Sequence, residues 1–527
     1  MTKQRSFAGG AAVLAVFTLA AKILSAFYRI PLTNLLGAEG IGMYQLVFSI
    51  FALVLSLTTG GIPLAVSRLT AEKNALGGDN RAVLKSALSA VTLASVLISV
   101  ILIFCGKYIA ALQGNEAVRY GYALIAPSVV LVGALAMFRG WFQGNYNVLP
   151  TAISQLIEQA FKLIFGLLFA KLLLPRGIIF AVYGALLGVA VSEAAALIYV
   201  AGAYLVGRKK LPPPDASERF KDTSKALMKI GLSFAIAGFI IPFSQFIDGI
   251  LIINLLKYAG QSTASATAGY GLFSGTVMSV VNLPVVLTLS LSVTLIPVVS
   301  ASRVNRNLEG IILKSATSIK LSYVIGLPSA LLMFVYANPI ITLLYPSLSP
   351  SEAALAVNLF RITCFSVTFA AQREIYASLL MALDKTYASA KITFAAVILK
   401  TAVMTALLLT AGITGAAYGV LVLGVSATAM YIFSFNKLLG KNVKLVKNIS
   451  TIIVSSAIMT LVALIVYYAV PSGSAALIAG GLLSAIVYLL CLMLFKVFDA
   501  GELQGIPFSR YLDKLTVKIR FWENKKQ

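Results

Sequence analysis

The sequence predicts an all-α polytopic membrane protein of about fourteen transmembrane helices, two pseudo-symmetric six-helix lobes plus two C-terminal helices. Three observations predict it. Hydrophobic residues make up 59% of the 527 and charged residues 11%, with mean hydropathy +0.93; a soluble chain runs near ~45–50% and ~25%. Fourteen apolar runs reach the ~20 residues that a helix needs to cross a bilayer, and none alternates as barrel strands do. The first half of the chain is also echoed in the second, about 235 residues on.

The runs at 7–30, 41–66, 84–106, 119–142, 148–173 and 177–206 make the first lobe, residues 1–207. Those at 227–256, 267–298, 317–338, 351–382, 387–411 and 414–436 make the second, 227–438. Between them, 208–226 carries Leu211-Pro212-Pro213-Pro214 and reads as a cytoplasmic linker. The last two runs, 449–470 and 473–497, fall in 439–497, and 498–527 is a basic cytoplasmic tail. Lys3 and Arg5 before the apolar run from Phe7 resemble the start of a signal peptide. No small-x-small site leads into a soluble region, so this run is expected to be an uncleaved first span. With both termini inside, 31 of the 42 Lys and Arg fall in inner segments and 6 in outer ones, which sets this orientation, with both termini cytoplasmic. The net charge of +24 then belongs to loops beside anionic lipid, and no nucleic-acid partner is expected.

The echo is carried by short matches. Ile62-Pro63 with Ser67-Arg68 ends the second run, and Ile296-Pro297 with Ser302-Arg303 ends the eighth. The same offset carries Arg139 close to Arg373, and a small further slip brings Lys162 to Lys400. Chance is the competing explanation. Transporters place substrate between such halves, near the midplane.

Charge inside the runs is costly and marks partners or paths. Lys22, Ser25 and Arg29 fall on one helical face, although Arg29 also sits where it can snorkel to the outer surface. Arg139 and Gln143 are four apart at an inner boundary, with Gly140 and Gly144 for close approach by a neighbouring helix. Ser154, Glu158 and Lys162 recur every four residues beside Gln155 and Gln159, with Glu158 and Lys162 in the order that favours an ion pair. Asp248, near Ser244 and Gln245, either pairs with a cation across the bundle or couples to an ion; Glu374 is the second ion-coupling candidate. Arg361 and Arg373 are about 120° apart around their helix, and Glu193 is a lone acid. Inside the runs cations outnumber acids, as an anionic cargo requires; the planar fork of arginine suits phosphate.

Enzymatic chemistry has little to work with. The absence of histidine excludes a Ser-His-Asp triad and His-containing zinc sites. Cys105, Cys364 and Cys491 sit in separate runs without ligand spacing and read as small core residues. No cofactor or metal is expected, and no paired carboxylates or sizeable soluble loop support a glycosyltransferase. A scaffold for envelope synthesis leaves the buried charges unexplained.

Arg139-Gly140-x-x-Gln143-Gly144, followed by Pro150-Thr151-Ala152-x-Ser154-Gln155-x-x-Glu158-Gln159, resembles a signature of the bacterial polysaccharide-export flippases. The nearest branch is that of stage V sporulation protein B and the MurJ-type lipid II flippases, in the multidrug/oligosaccharidyl-lipid/polysaccharide exporter superfamily. Leu36-Gly37-Ala38-Glu39-Gly40, Gly60-Gly61-Ile62-Pro63 and Pro297 also match. The resemblance implies two lobes around a cavity whose cations contact the pyrophosphate of a polyprenyl-linked saccharide, with lipid II first among cargoes. It implies functional roles for Lys22 and Arg29, and a C-terminal helix pair that guides the lipid tail. A further arginine of that branch has no counterpart in the uncharged Met278–Pro284 stretch; Arg361 or Arg373 is left to supply it. The expected binding set is thus Lys22, Arg29, Arg139, Gln143, Glu158, Lys162, Arg361 and Arg373. Expected partners are the lipid-linked saccharide and membrane lipids, with a coupling cation and cell-wall synthesis enzymes open. Another polyprenyl-linked precursor, a sporulation-specific role and a cation-coupled multidrug exporter stay open as alternatives; cationic drugs call for a net acidic cavity.

Overall fold

The computed structural model describes residues 2–76, 78–207, 220–439, 449–495 and 497. The Leu211–Pro214 stretch of the expected linker and the basic tail lie outside them. Every regular element among the described residues is a helix. Ten helices are long and apolar enough to cross a membrane, or twelve if each of two bent pairs is one span. The chain is therefore a multi-pass membrane protein; among the described residues this criterion finds ten to twelve spans and leaves the expected number of about fourteen unconfirmed. The difference has a local cause. Val16–Ala75 stands as one helical stretch where two spans are expected. The helix Leu149–Leu173 is long enough, but carries the polar stripe and falls outside the set.

The chain forms two compact units. The first holds Met1–Val280, Tyr345–Ala356 and Thr393–Gly419. Its long opening helix α1 (Thr2–Thr59) breaks at Gly37, whose φ of 67° is a left-handed conformation that glycine adopts without a Cβ clash. The chain turns again at Gly60-Gly61, with Gly61 at φ 143°, and Pro63 opens α2 (Ile62–Ala75), where its missing N–H costs nothing. The echoing Ile296-Pro297 lies instead within a helix, Leu283–Val304.

Next come α3 (Arg81–Leu112), α4 (Arg119–Gly144), α5 (Leu149–Leu173) and α6 (Ile178–Gly207). Small residues set the spacing. A Cβ on Gly140 or Gly144 would meet the backbone of Pro63 or Ser67, so α4 lies directly on α2, the close approach expected of these glycines. Likewise Gly188 of α6 rests on the Gly166 backbone of α5. Trp141, 3% exposed, packs among Val66, Leu84 and Phe142 and donates its indole N–H to Asn80 Oδ1 at 2.9 Å.

α7 (Phe220–Tyr258) begins inside the stretch expected to be linker. α8 (Thr263–Tyr270) runs through a π-helical turn, Gly271–Val277, into α9 (Met278–Val281). Gly271 touches Ala38 and Gly42 of α1. Polar side chains close this region: Asn115 Nδ2 donates to Thr267 Oγ1 at 3.0 Å, and Lys257 Nζ to the Gly114 carbonyl at 2.9 Å.

The second unit holds Val281–Leu344, Val357–Ile392 and the residues from Val420 on. Its helices are α10 (Leu283–Val304), α11 (Leu308–Val335), α12 (Ala337–Leu344), most of α13 (Pro350–Thr363), α14 (Ser366–Ala382), the start of α15 (Thr386–Ala411), most of α16 (Thr414–Leu439), and α17 (Ile449–Ala469) with α18 (Gly473–Leu494). Buried hydroxyls satisfied by carbonyls tie the last pair to α11. Tyr336 donates to Ala463 and Tyr488 to Val324, both at 3.0 Å, and Lys320 Nζ reaches the Val497 carbonyl at 3.0 Å.

Candidate functional site

In the first unit the polar stripe of α5 faces α4 and α1. Arg139, near the end of α4, donates from Nε to Ser154 Oγ at 2.9 Å and pairs with Glu158 Oε2 at 2.8 Å. Both side chains are 17% exposed. The other Glu158 oxygen accepts from Gln159 Nε2 at 2.7 Å. Glu158 thus pairs across helices with Arg139, not along α5 with Lys162 as the four-residue spacing favours. Close packing explains the choice: Thr151 Oγ1 meets the Arg139 carbonyl at 3.3 Å, bringing the guanidinium alongside Glu158.

Lys162, 9% exposed, turns the other way, over Phe48 at 5.1 Å and Tyr28 at 5.6 Å. Arg29 lies 5.7 Å from the same Phe48 ring and donates to Ser279 Oγ at 3.2 Å. Two cations therefore share one aromatic ring, attracted by its negative face. Buried Glu193 of α6 stands within electrostatic reach of Glu158, Lys162 and Arg139, so the lone acid of the sequence belongs to this cluster. Phe48 and Tyr28 gave no signal in sequence, since aromatics in apolar runs look like any core residue.

The remaining candidates spread out. Lys22 is exposed on α1, and Gln143 is half-buried on α4. Asp248 of α7 is bound to Lys400 of α15, whose Nζ also donates to Ser244 Oγ at 2.8 Å; their side chains are 11% and 3% exposed. In the second unit Arg373 pairs with its neighbour Glu374 at 2.8 Å, and Arg361 is exposed. Among the described residues no cluster of three metal-ligating side chains occurs.

Residues 7–303, which include all of the α1, α4 and α5 positions above, match the family described as "Polysaccharide biosynthesis protein". The chain belongs to the polysaccharide biosynthesis protein family. Stage V sporulation protein B of Bacillus subtilis (strain 168) is 26% identical over 521 residues, covering 96% of this chain and 98% of that one. Lipid II flippase MurJ of the same organism is 27% identical over 319 residues, 56% of this chain and 58% of MurJ. Among solved structures, this polysaccharide biosynthesis protein shares its fold with lipid II flippase MurJ in an inward closed conformation: TM-score 0.65, 16% identity, 92% and 98% coverage. It also shares it with an inward-facing multidrug resistance MATE transporter of the MOP superfamily: TM-score 0.67, 16% identity, 82% and 99% coverage.

Proposed function

We propose that the protein is a flippase that moves a polyprenyl-pyrophosphate-linked saccharide between leaflets, lipid II first among cargoes, and is not an enzyme. The observation that carries this is the pairing of Arg29 and Lys162 around Phe48. Two like charges beside one ring repel each other, and an anionic headgroup between them relieves that repulsion. Within the apolar runs of the first unit Lys22, Arg29, Lys85, Arg119, Arg139, Lys162, Lys171, Lys229 and Lys400 stand against Glu158, Glu193, Asp248 and Glu352. Such a surplus suits pyrophosphate and argues against a cationic drug as cargo.

In this reading two six-helix lobes, 1–207 and 227–438, alternate access about the headgroup while the lipid tail follows 439–497. Both termini lie in the cytoplasm and the protein sits in the cytoplasmic membrane. Lys22 and Arg29 recruit the headgroup, and Arg139, Gln143, Glu158 and Lys162 shape its seat. No covalent step is needed. Membrane potential or a cation gradient resets the empty carrier, with Asp248 and Glu374 the candidate coupling acids. Cell-wall synthesis enzymes would receive the product. Leaflet-resolved labelling of lipid II in a flippase-depleted strain tests this. The wild-type chain should restore outward movement, and Lys22→Ala and Arg29→Ala should reach the membrane yet fail to. No movement with the wild type sinks the cargo; full rescue by both variants sinks the site.

A further inference from the structure

One short segment belongs to a different unit from the chain around it. Tyr345–Ala356 is part of the first compact unit, whereas the residues before it, up to Leu344, and after it, from Val357, are part of the second. The segment has a shape of its own. Pro346 is the second residue of a turn closed by the Leu348 N–H on the Tyr345 carbonyl at 3.3 Å. Ser349 and Glu352 then form a capping box at the start of α13. The Glu352 carboxylate accepts from the Ser349 N–H at 2.9 Å, and Ser349 Oγ accepts from the Glu352 N–H at 3.4 Å.

The turn holds two irregular points of the first unit. Ser347 donates to Asn34 Oδ1 of α1, from Oγ at 2.8 Å and from its N–H at 3.4 Å. Asn34 stands three residues before the break of α1 at Gly37. Tyr345, 1% exposed, donates its hydroxyl to the Thr276 carbonyl at 3.3 Å. Thr276 lies in the π-helical turn Gly271–Val277, a rare geometry that gathers at functional sites. Gln45 Nε2 of α1 donates to another carbonyl of that turn, Ser274, at 3.3 Å. Breaks and π turns are where helices bend, so the segment docks where α1 and the α8–α9 stretch can change course.

The docked residues come from three distant places in the chain that share one side of the membrane. With both termini inside, Asn34 lies between the first two apolar runs and Ser347 between the ninth and tenth. Thr276 is near the start of the eighth, and all three are then on the outer side. The bond at Asn34 is exposed. Water can replace it at little cost, as a contact made and broken in each cycle requires.

Resting on the flippase reading and its orientation, we propose that residues 345–347 are a latch over the outer end of the first unit. Docked on Asn34 and Thr276, the latch keeps that end shut. Lifted, it opens a path past the π turn to outer water. The chain on both sides of it continues into the second unit, so movement there seats or lifts it.

The test uses the full chain with Cys105→Ala, Cys364→Ala and Cys491→Ala as background. Thr276→Cys on that background is treated in intact cells with a membrane-impermeant maleimide, and should react slowly. Adding Tyr345→Phe and Ser347→Ala removes two hydroxyl donors and should raise the rate about tenfold. An unchanged rate overturns the latch. Acceleration seen only in inside-out vesicles overturns its outer placement. In a second arm, Asn34→Cys and Ser347→Cys are joined by a short bis-methanethiosulfonate linker. Joining should stop outward movement of lipid II, and a reductant should restore it. Cysteines that the linker does not join, or joined protein that still moves lipid II at the unlinked rate, overturn the latch as well. If the wild-type chain moves no lipid II, the flippase reading fails, and the labelling rates still decide whether residues 345–347 shut the outer end.

Discussion

Glu158 restrains Arg139, and Glu158→Gln should therefore change stability and anion affinity in opposite directions. The carboxylate accepts from Arg139 at 2.8 Å, with both side chains 17% exposed. Exposed pairs are worth ~0–1 kcal/mol, and breaking a fully buried one costs ~3–5 kcal/mol. This pair lies between, and glutamine keeps an acceptor for the guanidinium, so a loss of about 2 kcal/mol is expected. Thermal unfolding in one detergent reads it. A cycle with Arg139→Gln should then give a coupling of about 1–3 kcal/mol, as for residues in one network. The freed guanidinium becomes available to an anion. Undecaprenyl pyrophosphate binding should tighten by up to about tenfold, roughly one charge-assisted hydrogen bond at ~1.5 kcal/mol. Additive single losses, with affinity unchanged or weaker in Glu158→Gln, would refute the view that Glu158 restrains a cargo-binding arginine.

Lys400→Met leaves the Asp248 carboxylate buried without its cation, and should cost about 3–5 kcal/mol of stability; Lys400→Met with Asp248→Leu should recover most of it. Unfolding of the single and double variants in detergent checks this, and an equally unstable double variant contradicts it. Gly144→Val places its Cβ against Thr70 Cβ at 2.6 Å and the Ser67 carbonyl, so overpacking of about 1–3 kcal/mol should lower monodisperse yield on size exclusion. Wild-type yield would show that α2 and α4 can separate there without penalty.

Helices were legible because a bilayer demands long apolar runs, and the α5 stripe was legible because polar residues at helical spacing stand out against them. Helix partners were not. Glu158 had Lys162 four residues on, a local signal, yet its counter-ion is Arg139, nineteen residues back on another helix. Only packing, through glycines such as Gly140 and Gly144, decides that. Phe48 escaped notice for a related reason: its role comes from the two cations brought over it, and nothing in its own neighbourhood in sequence announces them. The matched Ile-Pro exits show the converse, since Pro63 opens a helix after Gly60-Gly61 while Pro297 lies inside one.

Trp141 gives the molecule an optical probe of its own. The sequence holds two tryptophans, and the other, Trp522, lies in the tail outside the described residues. With Trp522→Phe, near-ultraviolet emission comes from one indole, buried beside Gly140 and tethered to Asn80. Its apolar packing predicts short-wavelength emission. Separation of α2 from α4 would wet the ring and redden it, so the α2–α4 seam can be followed by fluorescence in working vesicles without attaching a label.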